Sequence, residues 1–230
     1  MIKLSKCSLD ERETIQVKKA LEANYLGHGS FVRDFEDKIS KYTGSPYVTV
    51  TDCCTHALEL SFRYLIHKSK ITKVTLPAYT YLSVPMMLKK LDIDFELLDQ
   101  DWQGYYRFEP TNVIDMAVRF TKDCYVPDSF SCVSFRHRKV LQILRGGAIM
   151  TDNKQAHEWF QKARYDGRDL KNIPWPRQQS FDIGYHYNLC VEDCARGIIL
   201  MDELAKSGDT NPDSMKNAKL EYPDLSKILK

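Results

Sequence analysis

Between Tyr47 and Leu98 the chain alternates short strand-like runs with helical stretches, and no other feature restricts its fold as strongly. Tyr47-Val48-Thr49-Val50-Thr51 reads as a strand, Ala57 to His67 as a helix, and Lys73-Val74-Thr75-Leu76 as a second strand. A helix follows through Met86 and Leu91, and Asp94-Phe95-Glu96-Leu97-Leu98 is a third strand. Strands joined by crossover helices lie parallel, so the expectation is an α/β fold on a mostly parallel sheet. Ligands of such sheets sit at the carboxyl ends of the strands. Thr55, Tyr81 and Ser134 all fall at such ends.

The flanks extend the pattern. Residues 9 to 24 read as a helix, with Ser8 and Glu11 spaced as a capping box, and Gly27-His28-Gly29-Ser30 breaks it. Phe31, Phe35, Ile39 and Tyr42 mark a second helix that Gly44 stops; that aromatic stripe is core packing. Asp101 to Pro110 is a loop rich in aromatics, and Thr111 to Ala117 contains a short apolar strand ending at Asp115. Phe130 to Phe135 and Ala148 to Met150 are further strands. Lys154 to Arg164 and Val191 to Ala205 are helices on either side of a loop marked by Pro174 and Pro176. Residues 1–206 read as one domain. Residues 207–230 read as a polar tail, interrupted by Pro212 and Pro223, with no core of its own.

Composition excludes several classes. A chain of 230 residues, 43% hydrophobic and 28% charged, can bury a single sizeable core. A formal net charge of +2 gives no reason to expect nucleic acid or an anionic membrane. No stretch has the apolar length of a membrane span, and Met1-Ile2-Lys3-Leu4-Ser5-Lys6 lacks the apolar core of a signal peptide. The seven cysteines are scattered and form neither a CxxC pair nor zinc spacing. Free thiols in the cytoplasm, with no metal, are the expectation.

Two stretches carry candidate chemistry. Tyr47 to Thr51 runs through Asp52-Cys53-Cys54-Thr55-His56 into a helix, where unpaired amides and the helix dipole favour an anion and Thr55 can add its hydroxyl. In the other, Ser134 ends a buried strand, Lys139 lies five residues on in a basic turn, and Gly146-Gly147 leads into the next strand. The serine could hold a phosphate while the lysine engages a carbonyl. Alternatively Arg136-His137-Arg138-Lys139 is a solvated turn. Asp115 could cap a helix or face a cationic ligand atom. Asp128 competes with it, but sits in a turn-like Val126-Pro127-Asp128-Ser129.

Taken in order, these segments resemble the DegT/DnrJ/EryC1/StrS sugar aminotransferases, pyridoxal-phosphate enzymes of the aspartate-aminotransferase fold. Gly27 to Val32 with Phe35-Glu36 is similar to that family's G-x-x-V-x-x-F-E segment. Cys53-Cys54-Thr55-His56-Ala57-Leu58 is similar to its S-G-T-x-A-L turn, and Pro77-Ala78-Tyr79-Thr80-Tyr81 to its P-x-x-T-aromatic segment. Val113-Ile114-Asp115-Met116-Ala117 resembles V-I-E-D-A-A. Ser134-Phe135 with Lys139, then Gly146-Gly147, resembles S-F-x-x-x-K and its downstream glycine pair. Gly184-Tyr185-His186-Tyr187-Asn188 resembles the G-x-N-Y-R loop.

The resemblance implies a three-layer large domain of the aspartate-aminotransferase type that binds pyridoxal 5'-phosphate. Lys139 would hold the cofactor aldehyde and then move a proton; Asp115 would face the ring nitrogen; Tyr81 would stack on the ring. Cys54, Thr55 and Ser134 would bind the phosphate, joined by His186 from the second subunit of a homodimer. The implied reaction moves an amino group from glutamate or glutamine to a keto-sugar nucleotide. A non-catalytic relative that binds cofactor or nucleotide sugar, and a plain α/β domain binding some other phosphate, are the rivals.

The chain also departs from the pattern. Between Asp99 and Val113 it is too short for a strand and helix of the large domain, and no room is left for the small C-terminal domain. Cys54 replaces a glycine, and His186 and Asn188 replace an asparagine and an arginine. The retained Lys139 makes the related dehydratases, which carry histidine there, a poorer match.

Overall fold

The computed structural model describes residues 10–23, 29–69, 71–169, 174–207 and 217–229. The element order is α1 (Glu11–Glu22), α2 (Ser30–Thr43), β1 (Tyr47–Thr51), α3 (Cys54–Lys68), β2 (Lys73–Pro77), α4 (Ser83–Lys90) and β3 (Asp94–Leu98). Then come β4 (Tyr106–Arg107), β5 (Val113–Asp115), β6 (Phe130–Ser134), β7 (Gly147–Thr151), α5 (Lys154–Ala163), α6 (Val191–Ser207) and α7 (Ala218–Glu221). Asp10 caps α1 in a reciprocal box with Glu13. Ser8, the cap expected from sequence, lies outside the described residues, as do Gly27 and His28. Gly44 ends α2 at φ 77°, a left-handed conformation that glycine adopts without strain.

The α/β class holds, but the sheet is mixed rather than mostly parallel. Five strands run in the order β1-β7-β6-β5-β4, and β2 pairs with β3. Only β2/β3 and β5/β6 are parallel; β1/β7, β6/β7 and β4/β5 are antiparallel. Connection length explains this. A parallel pair needs a crossover, usually a helix, whereas β6 reaches β7 through the basic loop 135–146 with no helix. Between β3 and β5 the chain lays down the two-residue strand β4 in reverse, within the aromatic loop where sequence reading placed no strand. Just beyond it, the Thr75 N–H donates to Glu109 O at 2.8 Å and the Glu109 N–H to Thr75 O at 3.2 Å, joining the two sheets.

Alternate side chains of the central strands serve two cores, as the two-residue period of a strand requires. Val113, Cys132 and Ile149 pack with Ala57, Leu58, Leu60 and Phe160 of α3 and α5. Val50, Ile114, Val133 and Met150 pack with Phe35, Ile39 and Ile198 of α2 and α6. The result is helices on both faces of the sheet. Edge strand β1 is held by side chains: the Val50 N–H donates to Glu36 Oε1 at 2.9 Å, and Arg164 donates to Val50 O at 2.8 Å. Arg164 and Glu36 also form a buried ion pair with each other.

Residues 217–229, within the expected tail, dock on the body of the molecule. Ala218 and Leu225 are each 2% exposed. The Ala218 N–H donates to Trp102 O at 3.2 Å, the Leu225 N–H to Ala78 O at 3.0 Å, and Lys219 pairs with Asp99 at 2.6 Å. The segment therefore packs on the ends of β2 and β3.

Candidate active site

A cavity of about 520 Å³ opens at the carboxyl ends of β2, β5 and β6, beside the N-terminus of α3. Its lining includes Cys54, Thr55, Tyr81, Asp115, Ser134 and Lys139, so six of the seven site residues expected from sequence meet there. The volume is in the range of ordinary small-molecule sites. The seventh, His186, is exposed and faces Asp166 at 3.2 Å. It is not among the residues lining this cavity. Asp128 is exposed in a turn with φ 56° and its N–H donates to Asp152, whereas Asp115 is buried in the cavity wall.

One wall is the turn into α3. Cys53 is the N-cap and makes no side-chain capping hydrogen bond, so the amides of the first turn remain available to an anion. Gly147 lets this turn sit directly on β7: a Cβ there would lie 2.5 Å from the Cys54 nitrogen. The Thr55 hydroxyl is 2.7 Å from the Ser83 hydroxyl of α4, which also lines the cavity. Burial pushes the Cys54 thiol well up, and the nearby Asp115 charge adds to this. Cys54 therefore stays protonated and contributes its amide.

Asp115 forms the floor. Its Oδ1 accepts from the Ala117 N–H and its Oδ2 from the Tyr106 hydroxyl, both at 2.9 Å. The Tyr106 hydroxyl in turn lies 2.7 Å from the Thr80 hydroxyl, so three buried polar side chains form a continuous chain. Burial raises the Asp115 pKa, while the Ala117 amide, Tyr106 and the Lys139 charge pull it back. A buried carboxylate in this state gains most from a cationic partner inside the cavity. Tyr106 comes from the reversed strand β4, which no motif announced; only the aromatic richness of its loop hinted at it.

The basic turn supplies the opposite side. Lys139 is half-buried and lines the cavity. Arg136 donates to the Tyr81 hydroxyl at 2.7 Å and lies 5.7 Å from its ring centroid, holding that exposed ring at the mouth. Arg145 lines the cavity and pairs with Asp52 at 2.8 Å. Trp102 and Tyr222 complete the lining, stacked within 18° of parallel at 6.1 Å. Neither was expected from sequence. Burial, with Asp115 close by, raises the Tyr222 phenol, which stays neutral.

Residues 7–113 match the model of the DegT/DnrJ/EryC1/StrS aminotransferase family. The match covers a little under half of the chain. Across 89% of its length it is 21% identical to the UDP-4-amino-4,6-dideoxy-N-acetyl-beta-L-altrosamine transaminase of Campylobacter jejuni, and it spans 65% of that protein's length. Its fold is similar to Helicobacter pylori PseC, an aminotransferase involved in the biosynthesis of pseudoaminic acid, with TM-score 0.68 at 16% identity. That alignment covers 87% of this chain and 65% of PseC. It is also similar to the E. coli GDP-4-keto-6-deoxy-D-mannose-3-dehydratase solved with bound hydrated PLP, with TM-score 0.72 at 14% identity. There 88% of this chain and 68% of the dehydratase are covered. The shared fold is thus that of sugar aminotransferases and their dehydratase relatives, and this chain spans about two thirds of their length.

Proposed function

We propose that the chain binds pyridoxal 5'-phosphate in this cavity through Lys139. We further infer that it transfers an amino group from glutamate or glutamine to a keto-sugar nucleotide, as a cytoplasmic homodimer. One observation carries the reading: a lysine, a buried carboxylate and a helix N-terminus surround a single cavity of cofactor size. Each matches a different part of the cofactor, namely its aldehyde, its ring nitrogen and its phosphate. The six described cysteines are free thiols, in keeping with a reducing compartment. No helix among the described residues is long and apolar enough to cross a membrane.

When bound, the cofactor supplies a conjugated ring that accepts electron density from the carbon losing a proton. The chain's own residues do the rest. The Lys139 amine would hold the aldehyde and would carry a proton on Nζ. Asp115 would keep a proton on the ring nitrogen, its carboxylate held in place by Tyr106 and the Ala117 amide. The α3 amides would bind the phosphate together with the Thr55 and Ser134 hydroxyls. Tyr81 would stack on the ring, and Trp102 and Tyr222 would help to exclude water from the cavity. His186 would reach the phosphate of the second subunit, consistent with its exposure on its own chain.

Mixing the purified protein with pyridoxal phosphate tests the first step. A visible absorbance band should form, and Lys139→Ala should abolish it; no band in the unmodified protein rejects the proposal. Bleaching of the band by glutamate or glutamine supports turnover. A band that neither donor bleaches supports the non-catalytic alternative.

A further inference from the structure

Beside the cavity lies a constellation that the proposed chemistry leaves unused. Asp52, Cys53 and His56 each turn a polar atom toward the others, and these atoms all lie within 4.8 Å of one another. The spacing is a consequence of helix geometry. Cys53 is the N-cap of α3 and His56 its N3 residue, and N3 side chains fold back toward the N-cap. His56 Nδ1 is 2.6 Å from Asp52 Oδ1, and the other carboxylate oxygen accepts from Arg145 at 2.8 Å. The imidazole is clamped from its flat side by Tyr187, with ring centroids 3.7 Å apart and planes within 10°. Tyr187 is itself fixed, because its carbonyl accepts from the Asp52 N–H at 2.9 Å and its hydroxyl donates to Glu59 at 2.9 Å.

The arrangement is that of a thiol beside an imidazole that a carboxylate holds in place. Cys53 is half-buried and lines the cavity, so its sulfur is reachable. Burial alone would lower the His56 pKa, but the Asp52 carboxylate and Cys53 outweigh it and push it up to about 9. The imidazole is therefore an imidazolium at neutral pH. Imidazolium and helix dipole together stabilise the negative charge on sulfur during attack. The lining side chains Arg136 and Arg145 add positive charge, which favours anionic reagents. A bound cation fits less well, since Arg145 and the charged His56 already occupy the Asp52 carboxylate.

We propose that Cys53 is a nucleophilic thiol that exchanges with low-molecular-weight anionic disulfides at the rim of the cavity. The Cys53 sulfur attacks one sulfur of the reagent, whose S–S bond breaks as the mixed disulfide forms. The departing thiolate leaves with the electron pair, and the proton from Cys53 passes to solvent or to that thiolate. Two electrons move from the cysteine to the reagent, so no further oxidant is required.

The test uses the full chain with 5,5'-dithiobis(2-nitrobenzoate), a dianionic disulfide whose released thiolate is coloured. One equivalent should be released in a fast phase, which Cys53→Ser removes. His56→Gln should slow that phase about 10-fold while leaving the labelling rate of the exposed Cys190 unchanged. A fast phase that survives Cys53→Ser overturns the proposal, as does a rate unaffected by His56→Gln. If His56→Gln does not fold, peptide mapping of the wild-type protein after partial labelling decides. The first adduct should be on Cys53, and an adduct appearing first on any other cysteine overturns the assignment. None of these readings requires pyridoxal phosphate to bind.

Discussion

The two sides of the cavity have different origins. The side built by the turn into α3, the floor at Asp115 and the basic turn from β6 to β7 uses segments whose motifs could be read in the sequence one after another. The side built by Trp102 and Tyr222, with Tyr106 behind Asp115, comes from the aromatic loop after β3 and from residues 217–229, where no motif could be read. On the first side, backbone groups do much of the work and each position is fixed by close approach. On the second, aromatic rings fill space, and several rings would fill it nearly as well. Chemistry that needs atoms in fixed places therefore sits on the first side, and enclosure on the second.

Substitutions can break or sharpen this contrast. The largest effect is expected at Gly147, where a side chain would drive the α3 turn off β7. Gly147→Val should cost about 3 kcal/mol and lower the melting temperature by roughly 10 °C, and it should also abolish binding of pyridoxal phosphate. Tyr106→Phe comes next. It removes a donor from a buried carboxylate, at about 2 kcal/mol by chemical denaturation, and pushes the Asp115 pKa further up. A melting temperature unchanged by Tyr106→Phe would show that water replaces the phenol and that the second side is looser than described.

Tyr222→Ala should cost only about 1 kcal/mol, mainly through the lost stacking on Trp102. It should nonetheless open the cavity, so that hydroxylamine removes bound cofactor about fivefold faster, whereas Tyr222→Phe behaves as wild type. Equal rates in all three proteins would separate Tyr222 from the site. The smallest effect is that of pH. The His56 pKa is raised in the fold from 6.5 to about 9, so its contribution to stability is fully present below about pH 6.5. It is lost as pH rises through about 9. Urea titrations across that window should show a decline that His56→Gln lacks.

The same division explains what could be read from sequence. Strands β1 and β2 announced themselves through β-branched runs and β3, β6 and β7 through short apolar runs, and the residues at their ends followed. Helix α3 begins at Cys54 rather than Ala57 because its first turn is held by the close packing at Gly147, a contact that local pattern does not encode. The mixed sheet was missed because the direction of a strand depends on connection length, and β4 is too short to show any alternation. Tyr222 was out of reach for another reason: it lies in a polar stretch whose two buried anchors, Ala218 and Leu225, are too few to form a periodic signal. Arg136 was visible but had no assigned role until Tyr81 appeared beside it.

The side chains that hold β1 have a consequence beyond this site. An open sheet edge invites growth, because a foreign strand can complete its unpaired peptide groups. At Val50 both groups are already engaged, the amide by Glu36 and the carbonyl by Arg164. The charged pair thus guards the rim against templated aggregation. A chain that lost either partner would expose a β-branched strand, Tyr47 to Thr51, as a seed for recruiting its own copies.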